Sequence, residues 1–319
     1  MTFGRERILA DADVAATFPY AALDASLWEY YVAATATDPL DVSAIESDPH
    51  TDVATAALVA SEDPDGVGYF GRAATFEIAP GVTPDATPDI GRRTAETLRD
   101  RVQVAGRGLS VRVVSQRPLL SGFERVMLDS GASVALEFAA EADLALPEEQ
   151  LWRSLRKSYR SLVNAGRREL TIEIVDGTAP DRERFEVYRE LHREVAGRVT
   201  RPTESWDVMY GMVVDGRAQL VLAHLEGRPV AATYLMTFGP FALYASGAYA
   251  RDLGKFPVSH WPLYASMLEA RRRGVTRLLL GAVFPQADPG SSAKERSIAT
   301  FKLGFATSVS AWRSYGIGP

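Results

Sequence analysis

The chain has 319 residues, no cysteine and a net charge of −6, with 46% hydrophobic and 24% charged residues. Such totals are expected of a soluble globular protein long enough for two domains, and they exclude disulfides, thiolate metal sites and a cysteine nucleophile. The acidic balance argues against nucleic-acid binding by the whole surface but leaves room for a local basic patch.

The start, Met1 to Arg7, has no apolar run to serve as a signal, and no apolar run approaches the ~20 residues of a membrane span, so a cytoplasmic protein is expected. Residues 1–50, rich in Ala and Asp, read as a helix-poor opening segment with Ser26 to Tyr31 as an aromatic anchor. Asp52 to Ser61 and Gly68 to Ile78 read as strands, with turn chemistry at Asp63-Pro64-Asp65-Gly66 between them. Gly66-Val67-Gly68-Tyr69-Phe70-Gly71 matches a dinucleotide-binding glycine pattern, but it leads into a strand instead of opening a helix, which leaves it little weight. A Pro-rich loop from Ala79 to Pro88, a helix from Ile90 to Val104 stopped by Gly106 and Gly108, and a strand from Leu109 to Ser115 follow. Next come a short helix from Gly122 to Leu128 and a strand from Ser133 to Ala139.

Leu146-Pro147-Glu148-Glu149 opens what reads as one long helix to Asn164, with Trp152, Leu155, Tyr159 and Leu162 in an apolar stripe. Arg153, Arg156, Lys157 and Arg160 form a second stripe, nearly unrelieved by acids after Gln150. Four cations on adjacent turns suit either a phosphate-bearing ligand or a solvated face. A strand at Leu170 to Val175, helices at Asp181 to Ala196 and Glu204 to Val213, and three strands at Gln219 to Leu225, Pro229 to Thr237 and Phe241 to Tyr249 come next. Glu226-Gly227-Arg228 joins the first two of those strands as a hairpin turn. His260 to Arg273 reads as a helix, Arg277 to Gly281 as a buried strand, and Phe284 to Ser291 as a loop with Pro285 and Pro289.

Ser292 with Glu295 makes a capping box for a helix beginning at Ala293, and Gly304 is placed to end it in a left-handed conformation. Helical spacing puts Lys302 on one side with Ile298 and Ala299, where it either snorkels to water or is held where a cation is wanted. Thr94 to Phe123 and Tyr264 to Phe305 repeat the same order of helix, Arg-Gly stop, apolar strand, loop and Gly-Phe pair, which fits two mixed α/β domains of one fold. His50, His192, His224 and His260 are scattered and each reads as a packed or surface residue; no serine elbow, metal-ligand spacing or P-loop is present.

Phe301-Lys302-Leu303-Gly304-Phe305 resembles the Phe-Lys-x-Gly-Phe signature of the Fem-type (FemABX-like) aminoacyl transferases. The resemblance is clearest from Leu151 to Tyr315, where Leu155 to Gly166, Gly227 to Ala232, Leu243 to Ala248 and Leu280 to Ala282 are similar to the family's basic helix and successive strands. It implies two GNAT-like domains, each a mostly antiparallel mixed sheet flanked by helices, at 1–143 and at 144–319, the second opened by the basic helix. It also implies amide formation on an amine of a peptide, natural product or cell-wall precursor, with aminoacyl-tRNA as donor and no cofactor. Lys302, preceded by Phe301, would stabilise the developing charge, while Arg201 and Tyr244 would hold the acceptor. The stripe Arg153, Arg156, Lys157 and Arg160 would meet tRNA phosphates. A monomer is expected.

Three features depart from the family: no heptad-rich arm, no placeable acidic residue in the first domain, and the Phe284–Ser291 loop, which is specific to this chain and leaves open whether it covers the site as a lid. The alternatives are a coenzyme A-dependent GNAT-type N-acyltransferase using acetyl-CoA or acyl-CoA, and a non-catalytic binding module. Against the first, Arg251-Asp252-Leu253-Gly254-Lys255-Phe256-Pro257 carries only half of a pyrophosphate-binding turn.

Overall fold

A computed structural model describes residues 4–82, 89–115, 119–254, 256–285 and 290–319. The chain divides into two units, Met1–Glu137 with Ala311–Pro319, and Phe138–Ser310. The division falls between 137 and 138, where the sequence suggested 143 and 144, and the end of the chain goes with the first unit.

In the first unit the opening segment is helical, not helix-poor: Gly4–Ala10, Ala12–Thr17, Pro19–Ser26 and Trp28–Thr35 are all short helices. None is long enough to display an apolar period, and helices of this length are marginal alone. They are held by local capping and by burial. Asp11 accepts from the Asp13 and Val14 amides, Pro19 opens its helix, and Ile8, Phe18, Leu23 and Trp28 are buried. Beside them Ala44–Ser47, Ala54–Val59 and Ala74–Ile78 pair antiparallel in sequence, and Ala74–Ile78 pairs parallel with Gly108–Val114. The parallel pair needs a crossover, which the helix Arg92–Ala105 supplies through its buried Ala95, Leu98 and Val102. Between the second and third of these strands the chain makes a further small hairpin, Ser61–Asp63 with Gly66–Gly68, so the glycine-rich run is strand and turn. Arg313 to Ile317 pair antiparallel with Gly108–Val114.

The second unit repeats that plan. Leu170–Val175, Ala218–Leu225, Arg228–Phe238 and Phe241–Tyr249 form an antiparallel run, and Phe241–Tyr249 pairs parallel with Arg277–Val283 across the helix His260–Arg272. Phe138 to Asp143 pair antiparallel on the far side of Arg277–Val283. The hairpin at Glu226 and Gly227 has both residues at positive φ, 51° and 81°. Leu151, Leu155, Val163, Leu263, Met267, Leu278, Leu280 and Phe305 share the core between sheet and helices. Mixed α/β architecture with mostly antiparallel sheets flanked by helices is therefore observed in each unit.

Two local expectations are corrected here. The long basic helix is two helices, Glu148–Ser154 and Lys157–Glu169, because Leu155 and Arg156 between them are extended. The break buries Leu155 and lets the Arg156 amide donate to the Gly304 carbonyl at 3.0 Å. Gly304 does end the helix Ala293–Leu303, whose Ser292–Glu295 capping box is formed, but at φ −71° and not in the left-handed region. The Ala79–Pro88 and Phe284–Ser291 loops lie partly outside the described residues, as does Lys255.

Candidate functional site

The helix Ala293–Leu303 carries Lys302 in its last turn, and the strand Arg277–Val283 runs beneath it. That strand has a register irregularity between Leu279 and Gly281, and Gly281 takes φ +96°. A Cβ on Gly281 would lie 3.0 Å from the Lys302 ammonium, which donates to the Ala282 carbonyl at 3.2 Å. Lys302 is thus seated on a glycine and tied to a backbone acceptor instead of snorkelling freely. Withdrawal from water lowers its pKa from the ordinary lysine value.

Lys302 and Phe301 face an open cleft of about 680 Å³, whose other walls come from the strand Phe241–Tyr249, the end of the helix Arg182–Ala196, and Thr200. Tyr244 lines it, its hydroxyl 2.8 Å from that of Tyr249, which in turn lies 3.4 Å from Thr233 Oγ1. Gly247 makes room for this pair, since a Cβ there would fall 2.2 Å from Tyr244 Oη. Burial raises the Tyr244 pKa well above the ordinary tyrosine value, so its hydroxyl remains a donor. The strand is bulged next to Tyr244, the register with Arg228–Phe238 shifting between Tyr234 and Leu235. Phe301 packs edge-on against Phe305 and His260, at 5.2 and 5.5 Å between ring centroids.

The cleft is cationic. Arg251, Lys294 and Lys302 line it, and no Asp or Glu is among its lining residues. Arg251 and Lys294 are exposed and have no ion pair among the described residues. A site of this kind favours an anionic ligand or a negative charge that develops during reaction.

Of the residues expected from sequence, Lys302, Phe301 and Tyr244 come together here. Arg201 does not line the cleft, although its neighbour Thr200 does; its guanidinium lies 4.7 Å over the Trp206 ring and 3.1 Å from Met209 Sδ. The four basic residues of the broken helix are also outside the cleft lining. Arg153 pairs with Glu149 one turn away, Arg156 lies 5.9 Å over the Tyr159 ring, and Lys157 and Arg160 have no ion pair among the described residues.

His192, expected from the sequence to be a packed or surface residue, also lines the cleft. It lies on the inner side of the helix Arg182–Ala196, in step with the buried Phe185 and Tyr188, and opens onto the cleft near the helix end. An ionisable residue in register with an apolar stripe was the available signal. Its Nδ1 is 3.3 Å from Thr200 Oγ1, and the ring stands edge-on to Trp206 at 5.3 Å. Burial, then the Arg201 charge, lower its pKa to about 4.

Residues 151–289 match the model of an acetyltransferase (GNAT) domain. No curated protein matches the sequence. Among solved structures the chain is similar to FemX, with a TM-score of 0.62 and 13% identity over 90% of each chain. It is also similar to the C-terminal domain (DUF2156) of a protein assigned as a lysylphosphatidylglycerol synthetase from Agrobacterium fabrum, with a TM-score of 0.60 and 12% identity over 98% of this chain and 90% of that one. A third likeness is to L-PGS from Bacillus licheniformis, with a TM-score of 0.53 and 12% identity over 86% and 83% of the two chains. The family model supports a GNAT-like fold for residues 151–289, and the solved structures show that the fold of the chain as a whole is similar to theirs. No helix among the described residues is long and apolar enough to cross a membrane.

Proposed function

We propose that the chain transfers an acyl group, and specifically an aminoacyl group from charged tRNA, to an amine of a small-molecule or peptide acceptor. The observation that carries this is the fixed, half-buried Lys302 ammonium, facing the same cleft as Phe301 and Tyr244 within the Phe-Lys-x-Gly-Phe segment. Aminolysis of an ester needs two aligned substrates and a donor for the developing oxyanion, and it needs no covalent intermediate. In this reading Lys302 supplies that donor, its N–H groups held in place by Ala282 and by the absence of a side chain on Gly281. Tyr244 supplies a second donor, its hydroxyl, to the acceptor. Arg251 and Lys294 draw a phosphate- or carboxylate-bearing substrate to the opening. The likeness to FemX and to proteins named for joining lysine to phosphatidylglycerol is in keeping with an aminoacyl donor.

A second reading is transfer from a coenzyme A thioester, favoured by the match of residues 151–289 to an acetyltransferase domain. Against it stands the turn after Arg251, where Pro257 removes an amide that a pyrophosphate would use. The deciding experiment offers labelled charged tRNA, with and without ribonuclease pretreatment, and labelled acetyl-CoA to one mixture of primary amines and peptides. Ribonuclease-sensitive product from charged tRNA alone is expected. Product that survives ribonuclease, or that forms only from the thioester, would reject the tRNA donor.

A further inference from the structure

We propose that His192 takes the proton from the attacking amine, an assignment that rests on the reading of the cleft as an acyl-transfer site. The proposal begins from what else lines the cleft. No carboxylate does, so the usual proton acceptors for an ammonium are missing. Tyr244 keeps its proton, and its hydroxyl is engaged with Tyr249. Lys302 donates to Ala282 and is needed as a donor. Among the lining groups His192 alone offers a ring nitrogen with a lone pair.

Its geometry suits that role. The ring is clamped edge-on by Trp206 at 5.3 Å and by Tyr188 at 6.2 Å, and Nδ1 is 3.3 Å from Thr200 Oγ1. The contact between Nδ1 and Thr200 Oγ1 admits either direction. Proton uptake at Nε2 requires the tautomer in which Nδ1–H donates to Thr200 and Nε2 keeps its lone pair, with no partner for Nε2 among the described residues. Burial and the nearby Arg201 keep the ring neutral at pH 7. An oxyanion forming in the same cleft opposes that Arg201 charge and raises the ring's affinity for a proton as the amine becomes acidic.

The step balances as follows. The amine nitrogen attacks the carbonyl carbon of the ester or thioester, forming the C–N bond and placing negative charge on oxygen next to Lys302. The nitrogen's proton passes to His192 Nε2. The C–O or C–S bond then breaks as the carbonyl reforms, and the imidazolium returns the proton to the leaving oxygen or sulfur. His260, whose pKa is also lowered to about 4 by burial, serves as the control, because it packs on Phe301 but does not line the cleft.

The test measures transfer from labelled charged tRNA and from labelled acetyl-CoA to glycinamide, ethanolamine and a peptide mixture. It compares wild type, His192→Gln, His260→Gln, and His192→Ala with and without imidazole. The expected result is a fall of about 100-fold in kcat for His192→Gln with KM little changed, the lower range for loss of a general base. Partial recovery of His192→Ala by imidazole, which fits the space left beside Trp206, and near-normal turnover in His260→Gln are also expected. Nitrogen-15 spectra of the folded wild type should show Nε2 unprotonated at pH 6.5, a readout independent of how the variants fold. Normal kcat in His192→Gln, failure of imidazole to restore any activity, or a proton on Nε2 would overturn the assignment while leaving the acyl-transfer reading standing. A wild type that uses neither donor would instead overturn that reading, and this assignment with it.

Discussion

The ring of Tyr159 occupies the space that a side chain on Gly304 would need: a Cβ there would lie 1.9 Å from Tyr159 Cε2. Glycine at the end of the signature helix therefore serves a close approach, while its φ of −71° is open to any residue. The same contact explains why the basic helix breaks at Leu155 and Arg156, since the break brings the Arg156 amide to the Gly304 carbonyl and Tyr159 onto the helix end. Gly304→Ala is predicted to destabilise the protein by about 1–3 kcal/mol through overpacking. A double-mutant cycle in chemical denaturation checks the cause. If the cost of Gly304→Ala is the same in a Tyr159→Ala background, the ring is not what glycine accommodates.

Gly281 and Lys302 make a second such pair, and it bears on activity. Lys302→Met keeps the apolar stem, so its melting temperature should stay near that of the wild type. Transfer should lose roughly 2–4 kcal/mol of transition-state stabilisation, as when one oxyanion donor is removed. Full turnover in a folded Lys302→Met protein would take the residue out of the mechanism. Gly281→Ala should cost about 1–3 kcal/mol in stability, because φ is +96° and the new methyl meets the ammonium at 3.0 Å. Its kcat should fall as well, and an unchanged kcat would mean that the exact seat of the ammonium does not matter.

Much of the second unit was legible in the sequence, because its elements are long and locally consistent. The strands Leu170–Val175 and Phe241–Tyr249 and the capping box at Ser292 were read with their observed limits. The four opening helices of the first unit were not legible, since six to eight residues show no period and tertiary burial holds them. The break at Leu155 was hidden for a different reason. Its apolar and basic stripes have perfect helical spacing, and only a partner distant in sequence, Gly304, interrupts them. Among the residues that line the candidate cleft, the local motif and strand pointed to Lys302, Phe301 and Tyr244. His192 was not among them, because its place at the cleft depends on Thr200 and Trp206 packing around it.

The two histidines held near pKa 4 predict an acid-side loss of stability. In the unfolded chain each binds a proton below about pH 6.5, whereas in the folded chain each stays neutral until about pH 4. Across that window the unfolded state binds more protons, so stability falls as pH falls and is restored above it. Both rings are partly open to water, and each contribution is on the order of 1 kcal/mol after allowing for screening. The denaturant midpoint of the wild type should therefore fall between pH 6.5 and 4 relative to that of the His192→Gln, His260→Gln double variant. Parallel profiles would show that these rings titrate normally.

The basic residues of the broken helix predict a graded response to salt, and their individual surroundings set the grading. Arg153 is paired with Glu149 at 2.6 Å, and Arg156 lies over the Tyr159 ring, so both already have partners. Lys157 and Arg160 have no ion pair among the described residues and follow one another around the start of Lys157–Glu169. If the stripe meets the phosphates of a charged tRNA, Lys157 and Arg160 should carry most of that contact. Binding of charged tRNA by the wild type should weaken steeply with salt, through release of counterions. Lys157→Glu and Arg160→Glu should each lower the slope of log affinity against log salt by about 1, while Arg153→Glu should change it less. Filter binding across a salt series reads these slopes directly. Equal slopes in wild type and in the Lys157→Glu, Arg160→Glu double variant would make the stripe a solvated surface and move the tRNA contact elsewhere, with the exposed Arg251 and Lys294 at the cleft next in line.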